Sequence, residues 1–233
     1  MSEFALQIVL AAVPVILAIT LHEAAHGYAA LALGDDTAKS RGRLSVNPLR
    51  HIDGVGTLLL PGLLVLGQLL TVGHVGFIFG WAKPVPVSAW RFANPRRGMA
   101  LVAAAGPAAN FVLAWLGALG MHSLDYLPGA SGDVVAVLLE TFVIANLVLG
   151  LFNLLPVPPL DGGRIAVGLL PERWAMAWAR LERAGIVLVI VVVFLAPRLL
   201  AQMGVRFDPV GAALMGLLPR AYDLVSRLAF LGS

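Results

Sequence analysis

The sequence predicts an all-α polytopic membrane protein with about five to six transmembrane helices. Three observations carry that expectation. Of 233 residues, 59% are hydrophobic and 12% charged, whereas a soluble domain carries about 25% charged residues. Mean hydropathy is +0.89. The apolar residues also fall into discrete runs of the length a bilayer requires, about 20 residues each.

The first run covers residues 4–33. Its only strongly polar side chains are Gln7, Thr20, His22, Glu23 and His26, with Tyr28 amphipathic. The N-terminus lacks the basic region of a cleaved signal peptide. The second run, 57–81, is interrupted by Pro61, Gly62, Gly67, Gly73, Gly76 and Gly80. Runs three and four cover 99–121 and 134–155, and a fifth, rich in β-branched residues, covers 185–203. The last, 210–230, is broken by Arg220, Asp223 and Arg227, so it either spans or lies in the interface as an amphipathic helix. No repeat or low-complexity tract appears. Residues 1–233 read as one membrane-embedded domain, with a core of about 4–170 and C-terminal helices over about 171–233.

The charges set an orientation. Lys39, Arg41, Arg43 and Arg50 lie in the first connection, Lys83, Arg91, Arg96 and Arg97 in the next, and Arg164, Arg173, Arg180 and Arg183 after the fourth run, while 122–133 has no Lys or Arg. Basic loops remain cytoplasmic. The net charge of +3 is therefore assigned to membrane topology and not to nucleic-acid binding. Two successive basic loops flank 57–81, and a single crossing would put one of them outside. The expectation is that 57–81 is re-entrant or makes two short passes, with its non-helical backbone covered by protein or water.

His22-Glu23-Ala24-Ala25-His26 places two imidazoles one turn apart on one helical face, where both reach a single ion, with Glu23 beside them. His-Glu-x-x-His supplies two metal ligands and a general base. Three such groups in an apolar helix need a compensating partner, which a cation provides. His22 lies about 27 Å along the helix from Phe4, near the far face of a bilayer. A catalytic zinc has three protein ligands and an open position. With no cysteine in the chain, the third must be His, Asp or Glu. Asp161 is the candidate. It follows Asn153 and the proline-broken segment Pro156-Val157-Pro158-Pro159-Leu160, on the same face as the histidines by the charge pattern. Alone, Asp161-Gly162-Gly163 reads as a turn or helix cap; beside the histidine pair it reads as a ligand. His51 and His74 are more simply loop and packing residues, and His122 belongs to the opposite side. Asn110 is expected to make an interhelical hydrogen bond, and Gly106-Pro107 reads as a helix start.

Together these motifs resemble the site-2 protease family of intramembrane zinc metalloproteases, in the compact prokaryotic form without PDZ or CBS domain. The stretch from Gly42-Arg43-Leu44-Ser45-Val46-Asn47-Pro48 to Asp53 is similar to the loop after the metal helix. Gly80-Trp81-Ala82-Lys83-Pro84-Val85-Pro86-Val87 is similar to the next loop, and Ala105-Gly106-Pro107-Ala108-Ala109-Asn110 to the following core helix. The likeness covers roughly 15–170.

It implies one zinc ion on His22, His26 and Asp161, water activation by Glu23, and substrate handling by Asn153. The substrate would be a membrane protein cut in or beside its transmembrane segment, at the cytoplasmic side of a prokaryotic cell membrane. Leu44 and Val46, in a stretch with strand-like alternation, would offer a β-like edge near the active site, or are plain surface loop. Two rivals belong to other classes. A membrane zinc transporter would distribute ligands along a path, and a noncatalytic protease-derived scaffold would not need Glu23. Substrate identity and oligomeric state are not fixed by these residues.

Overall fold

The computed structural model describes residues 3–73, 80, 82–205 and 207–230. Helix α1 runs Glu3–Ala32 and stops at a glycine. Gly34 has φ +97°, the Gly34 amide donates to Leu31 O (3.0 Å) and the Asp35 amide to Ala30 O (2.9 Å). This pair of bonds is a Schellman cap. A short helix α2, Thr37–Ser40, follows. A wide π-type turn, Gly54–Leu59, leads into α3, Leu60–Val72. His74 and most of the rest of run two lie outside the described residues, so its return path is not described.

Helix α4, Pro95–Gly120, begins where Asn94 caps the Arg97 amide and Pro95 occupies the first turn. It runs straight through Gly106-Pro107. This corrects the expected helix start there: the start is the Asn94-Pro95 cap, and Pro107 sits inside the helix. A proline in that position removes one backbone bond, which membrane helices tolerate when neighbours cover the site. Pro107 is fully buried. Helix α5, Ala130–Asn153, returns antiparallel. The prolines then hold 154–160 out of helix, and α6 opens at Asp161 (Asp161–Leu169). Next come α7 (Glu172–Arg180), α8 (Gly185–Val189), a π-type stretch Ile190–Leu195, α9 (Ala196–Gln202) and α10 (Pro209–Leu228), the last capped by Asp208.

Helix α4 is the hub, packed on α1, α5, α6 and α10. Small residues set the spacing: a Cβ on Gly117 would meet Phe142 and Val143, and one on Gly150 would meet Asn110 and Phe111. Ala114, Ala118, Val143, Leu147, Val225 and Ala229 form a buried apolar cluster among α4, α5 and α10.

Among the described residues, three helical stretches are long and apolar enough to cross a membrane: Val9–Ala32, Pro95–Tyr126 and Ala130–Asn153. Two shorter apolar ones are Gly54–Gln68 and Val187–Gln202. Only 22–33% of the residues in the three spanning windows are buried within the protein. The outer surface is therefore largely hydrocarbon, as lipid contact requires. The expected β-like loop is not seen: the described residues contain no strand, and Arg43–Asn47 pairs with no neighbouring backbone as a ladder.

Candidate metal centre

Helices α1 and α4 run antiparallel in a fixed register. Ala18 and His22 lie by Asn110, and His26 lies by Val102. Where they cross, a Cβ added to Gly106 would lie 2.5 Å from Cε1 of both His22 and His26 and 2.6 Å from His26 Nε2. Glycine is therefore required for α4 to approach the rings. The start of α6 completes the cluster. Close contact of Gly162 and Gly163 with the backbone of 154–158 lets α6 pack under the proline turn, which positions Asp161. Asp161 is the first residue of α6 and Leu160 stands at the cap position, so Asp161 is not the helix cap.

The three sequence-predicted ligands converge. His22 Nε2 lies 3.1 Å and His26 Nε2 3.3 Å from Asp161 Oδ2, and the two Nε2 atoms are 3.0 Å apart. The rings meet edge to face at 4.6 Å. His22 and Asp161 are buried, and the His26 side chain is 12% exposed.

Each histidine directs its other nitrogen to an oxygen: His22 Nδ1 to Asn110 Oδ1 at 2.6 Å, and His26 Nδ1 to the Val102 carbonyl at 2.7 Å. With Nδ1 donating, both neutral rings turn an Nε2 lone pair inward. Asp161 Oδ2 is a buried atom without a hydrogen-bond donor. Three electron-pair donors facing one another repel unless a cation or protons intervene. Zinc bonds of about 2.0–2.1 Å in a tetrahedron imply ligand separations of about 3.3 Å, close to those observed. The donor set fits zinc. Burial by itself would raise the Asp161 carboxyl, but the hydrogen-bonding and electrostatic influence of His22 and His26 outweighs it and holds the carboxyl at about 2. Protons and a metal ion thus serve the same oxygen.

Glu23 is half-buried, and its Oε2 accepts the Val85 amide at 3.2 Å. One turn on, a Cβ at Gly27 would lie 3.0 Å from Leu44 Cδ1 and 3.2 Å from Val85 Cγ1. The two loops thus cover the α1 face that carries Glu23. They are tied together by Arg43 Nη2 to Lys83 O (2.9 Å) and the Lys83 amide to His51 O (2.8 Å), while His51 Nε2 to Ser45 O (2.7 Å) braces the first loop on itself. At the other end, Asp35 is fully buried and accepts the Ser88 amide at 2.6 Å, with Arg91 Nε 3.7 Å away. Burial raises the Asp35 pKa, but the Ser88 and Thr37 hydrogen bonds and the Arg91 charge outweigh it, and the net shift is downward.

Leu44 therefore lies against α1, while Val46 is exposed. Asn153 donates to Leu149 O of its own helix at 3.0 Å. His51 is a buried loop residue, and His122 bonds Ala229 O on the far side. The expected interhelical bonding of Asn110 is present, to Asn146 on α5 and, on α1, to Ala18 O and to His22. Sequence reasoning missed the His22 partner, as well as Gly106, Asn146 and Asp35. The available signal was spacing: Gly106 and Asn110 are four apart, as are His22 and His26.

Comparison with known proteins agrees. Residues 126–197 match the model of Peptidase family M50, a stretch that contains Asn153 and Asp161. The chain is 39% identical over 193 residues to YwhC of Bacillus subtilis (strain 168), described as a candidate zinc metalloprotease; the match covers 79% of this chain and 80% of YwhC. It is 33% identical over 186 residues to Rip2 of Mycolicibacterium smegmatis and 31% over 185 residues to Rip2 of Mycobacterium tuberculosis, described in the same way. Each match covers 79% of this chain and 66% of the relative. No solved structure matches. The identity and coverage shared with YwhC place this chain in peptidase family M50, the site-2 protease family of zinc metalloproteases.

Proposed function

We propose that the protein cleaves a peptide bond in or beside the transmembrane segment of a membrane-protein substrate, at the cytoplasmic face of the cell membrane. His22, His26 and Asp161 would hold one zinc ion and Glu23 would act as base. The observation that carries this reading is the convergence of three electron-pair donors within 3.0–3.3 Å beside Glu23. On the same reading residues 1–233 act as one domain.

Zinc, when bound, supplies a Lewis acid that lowers the pKa of water to about 7 and polarises a carbonyl. Glu23 takes the proton of the attacking water and returns it to the departing amine nitrogen. The Val85 amide holds one Glu23 oxygen, and the other would take the proton. Asn153 would release Leu149 O and turn its amide to the substrate. Leu44 and Val46 would line the path of an unwound substrate, whose exposed backbone the loops accept.

The test is zinc analysis together with cleavage of a model transmembrane substrate in nanodiscs. Glu23→Gln is expected to keep zinc and lose turnover. Turnover retained in that variant would overturn the assignment. Zinc flux across vesicles that persists in Glu23→Gln would favour a transporter, and wild-type protein that binds zinc without cleaving would favour a scaffold. Proline at Leu44 and Val46 is expected to abolish cleavage with zinc retained, and undiminished cleavage would remove those residues from the substrate path.

A further inference from the structure

We propose that Asn146 and Asn110 form a relay that fixes the tautomer of His22 from the backbone carbonyl of Phe142; the inference rests on the reading of His22 as a metal ligand. Both asparagines are fully buried, on α5 and α4. Asn146 Nδ2 lies 2.8 Å from Phe142 O, Asn110 Nδ2 lies 2.8 Å from Asn146 Oδ1, and Asn110 Oδ1 lies 2.6 Å from His22 Nδ1.

The logic runs in one direction. A backbone carbonyl only accepts, so Asn146 must present its NH₂ to Phe142 O. Its oxygen then faces Asn110, which must present its own NH₂. The Asn110 oxygen is left for His22, and an oxygen acceptor requires Nδ1–H. The His22 lone pair is thereby placed on Nε2, toward His26 and Asp161. The second Asn110 hydrogen points to Ala18 O at 3.4 Å, one turn before His22 on α1.

The competing tautomer is attractive in its own right. An Nε2–H on His22 would meet the donor-less Asp161 Oδ2 3.1 Å away and close the cluster to a cation. The relay disfavours it, because it would set the Nδ1 lone pair against the Asn110 oxygen in a dry interior. The two histidines also differ in what holds them. Val102 O fixes His26 directly and cannot flip. A side-chain amide can flip, and the shorter of the two bonds that hold the Asn110 amide in place is the one to Asn146, 2.8 Å against 3.4 Å to Ala18 O. That role accounts for a fully buried Asn146 in the otherwise apolar stretch Phe142–Phe152 of α5.

Asn110 and Asn146 are thus positioning residues. The experiment is ¹⁵N-histidine NMR of the zinc-free protein in nanodiscs near pH 8, with zinc affinity by chelator competition, on wild type, Asn146→Leu, Asn110→Leu and Asn110→Asp. In wild type, His22 is expected to show a protonated Nδ1 and an unprotonated Nε2. Asn146→Leu should give His22 a mixture of tautomers while His26 is unchanged, and zinc affinity should fall about 10- to 100-fold. Asn110→Asp keeps an oxygen toward Nδ1 and should bind zinc more tightly than Asn110→Leu. A role in packing alone gives the reverse order, because leucine suits an apolar interior better than a carboxylate.

A single Nδ1–H tautomer with unchanged zinc affinity in Asn146→Leu, or better zinc binding by Asn110→Leu than by Asn110→Asp, would overturn the relay. Zinc that binds wild type without shifting the His22 resonances would instead overturn the ligand reading, while the zinc-free spectra still judge the tautomer.

Discussion

The two halves of α4 use the same device for different ends. In the inner half, Val102, Gly106 and Asn110 face α1. A Cβ on Gly106 would sit 2.5 Å from imidazole carbons whose rings are bonded on the other side. In the outer half, Gly117 faces α5, and its Cβ would sit 3.0 Å from Phe142 Cδ1 and Val143 Cγ2, with the apolar cluster of α10 behind. Both glycines allow helices to approach closely. The inner neighbours are pinned and cannot yield, whereas the outer ones are ordinary side chains that can. A small residue therefore defines a binding site in one half and only a packing distance in the other.

The sharpest test of this contrast is Gly106→Ala. Zinc affinity is expected to fall at least about 100-fold and cleavage to vanish, while helix content by circular dichroism is unchanged, since alanine favours helix by about 1 kcal/mol over glycine. Wild-type zinc binding in that variant would break the comparison. Next in size is metal removal. Chelation is expected to lower Tm by several degrees, because an ion bound only to the folded state stabilises it; Asp161→Ala should show no such difference between chelated and zinc-supplemented samples.

Asp35→Asn sharpens the contrast from outside the helices. It removes a buried charged acceptor of the Ser88 amide and is expected to destabilise by about 1–3 kcal/mol, with faster hydrogen exchange at Ser88. The pH dependence has a definite sign. The folded pKa of Asp35 lies below its ordinary 3.8, so its contribution is complete above that value and is lost as pH falls through the folded pKa. The gap between wild type and Asp35→Asn should close below about pH 4. The smallest effect is Gly117→Ala, within about 1 kcal/mol of wild type with zinc affinity unchanged, as slight overpacking offsets better helix propensity.

Much of this was legible from the chain. Hydropathy located α1, α4, α5, the 185–202 stretch and α10 to within a few residues, because lipid imposes its requirement on every spanning residue independently of neighbours. The histidine spacing pairs His22 with His26, and the structure brings Asp161, the candidate third ligand, to them. What escaped depends on tertiary pairing. Pro107 reads locally as a breaker, yet its turn is covered by packing on all sides. The alternation of 43–47 suggests a strand, but side chains of Arg43, Arg50 and His51 take the nearby carbonyls, and no second backbone joins. The short helices α6 and α7 have no bounds in the sequence pattern, which shows there only a basic segment, a candidate cap at Asp161 and C-terminal helices from about 171. Nothing local in the sequence shows that Asp35 is buried.

Val102, Gly106 and Asn110 recur every fourth residue, and opposite them stand His26, His22 and Ala18 in reverse order. Two helical stripes are thus meshed tooth for tooth. One residue added between Gly106 and Asn110 would swing everything beyond it by about 100° and disengage one tooth while its neighbour stays seated. Along these turns the number of residues is held as tightly as the identities of Gly106, Asn110, His22 and His26, because an inserted or deleted residue parts these groups as surely as a substitution does.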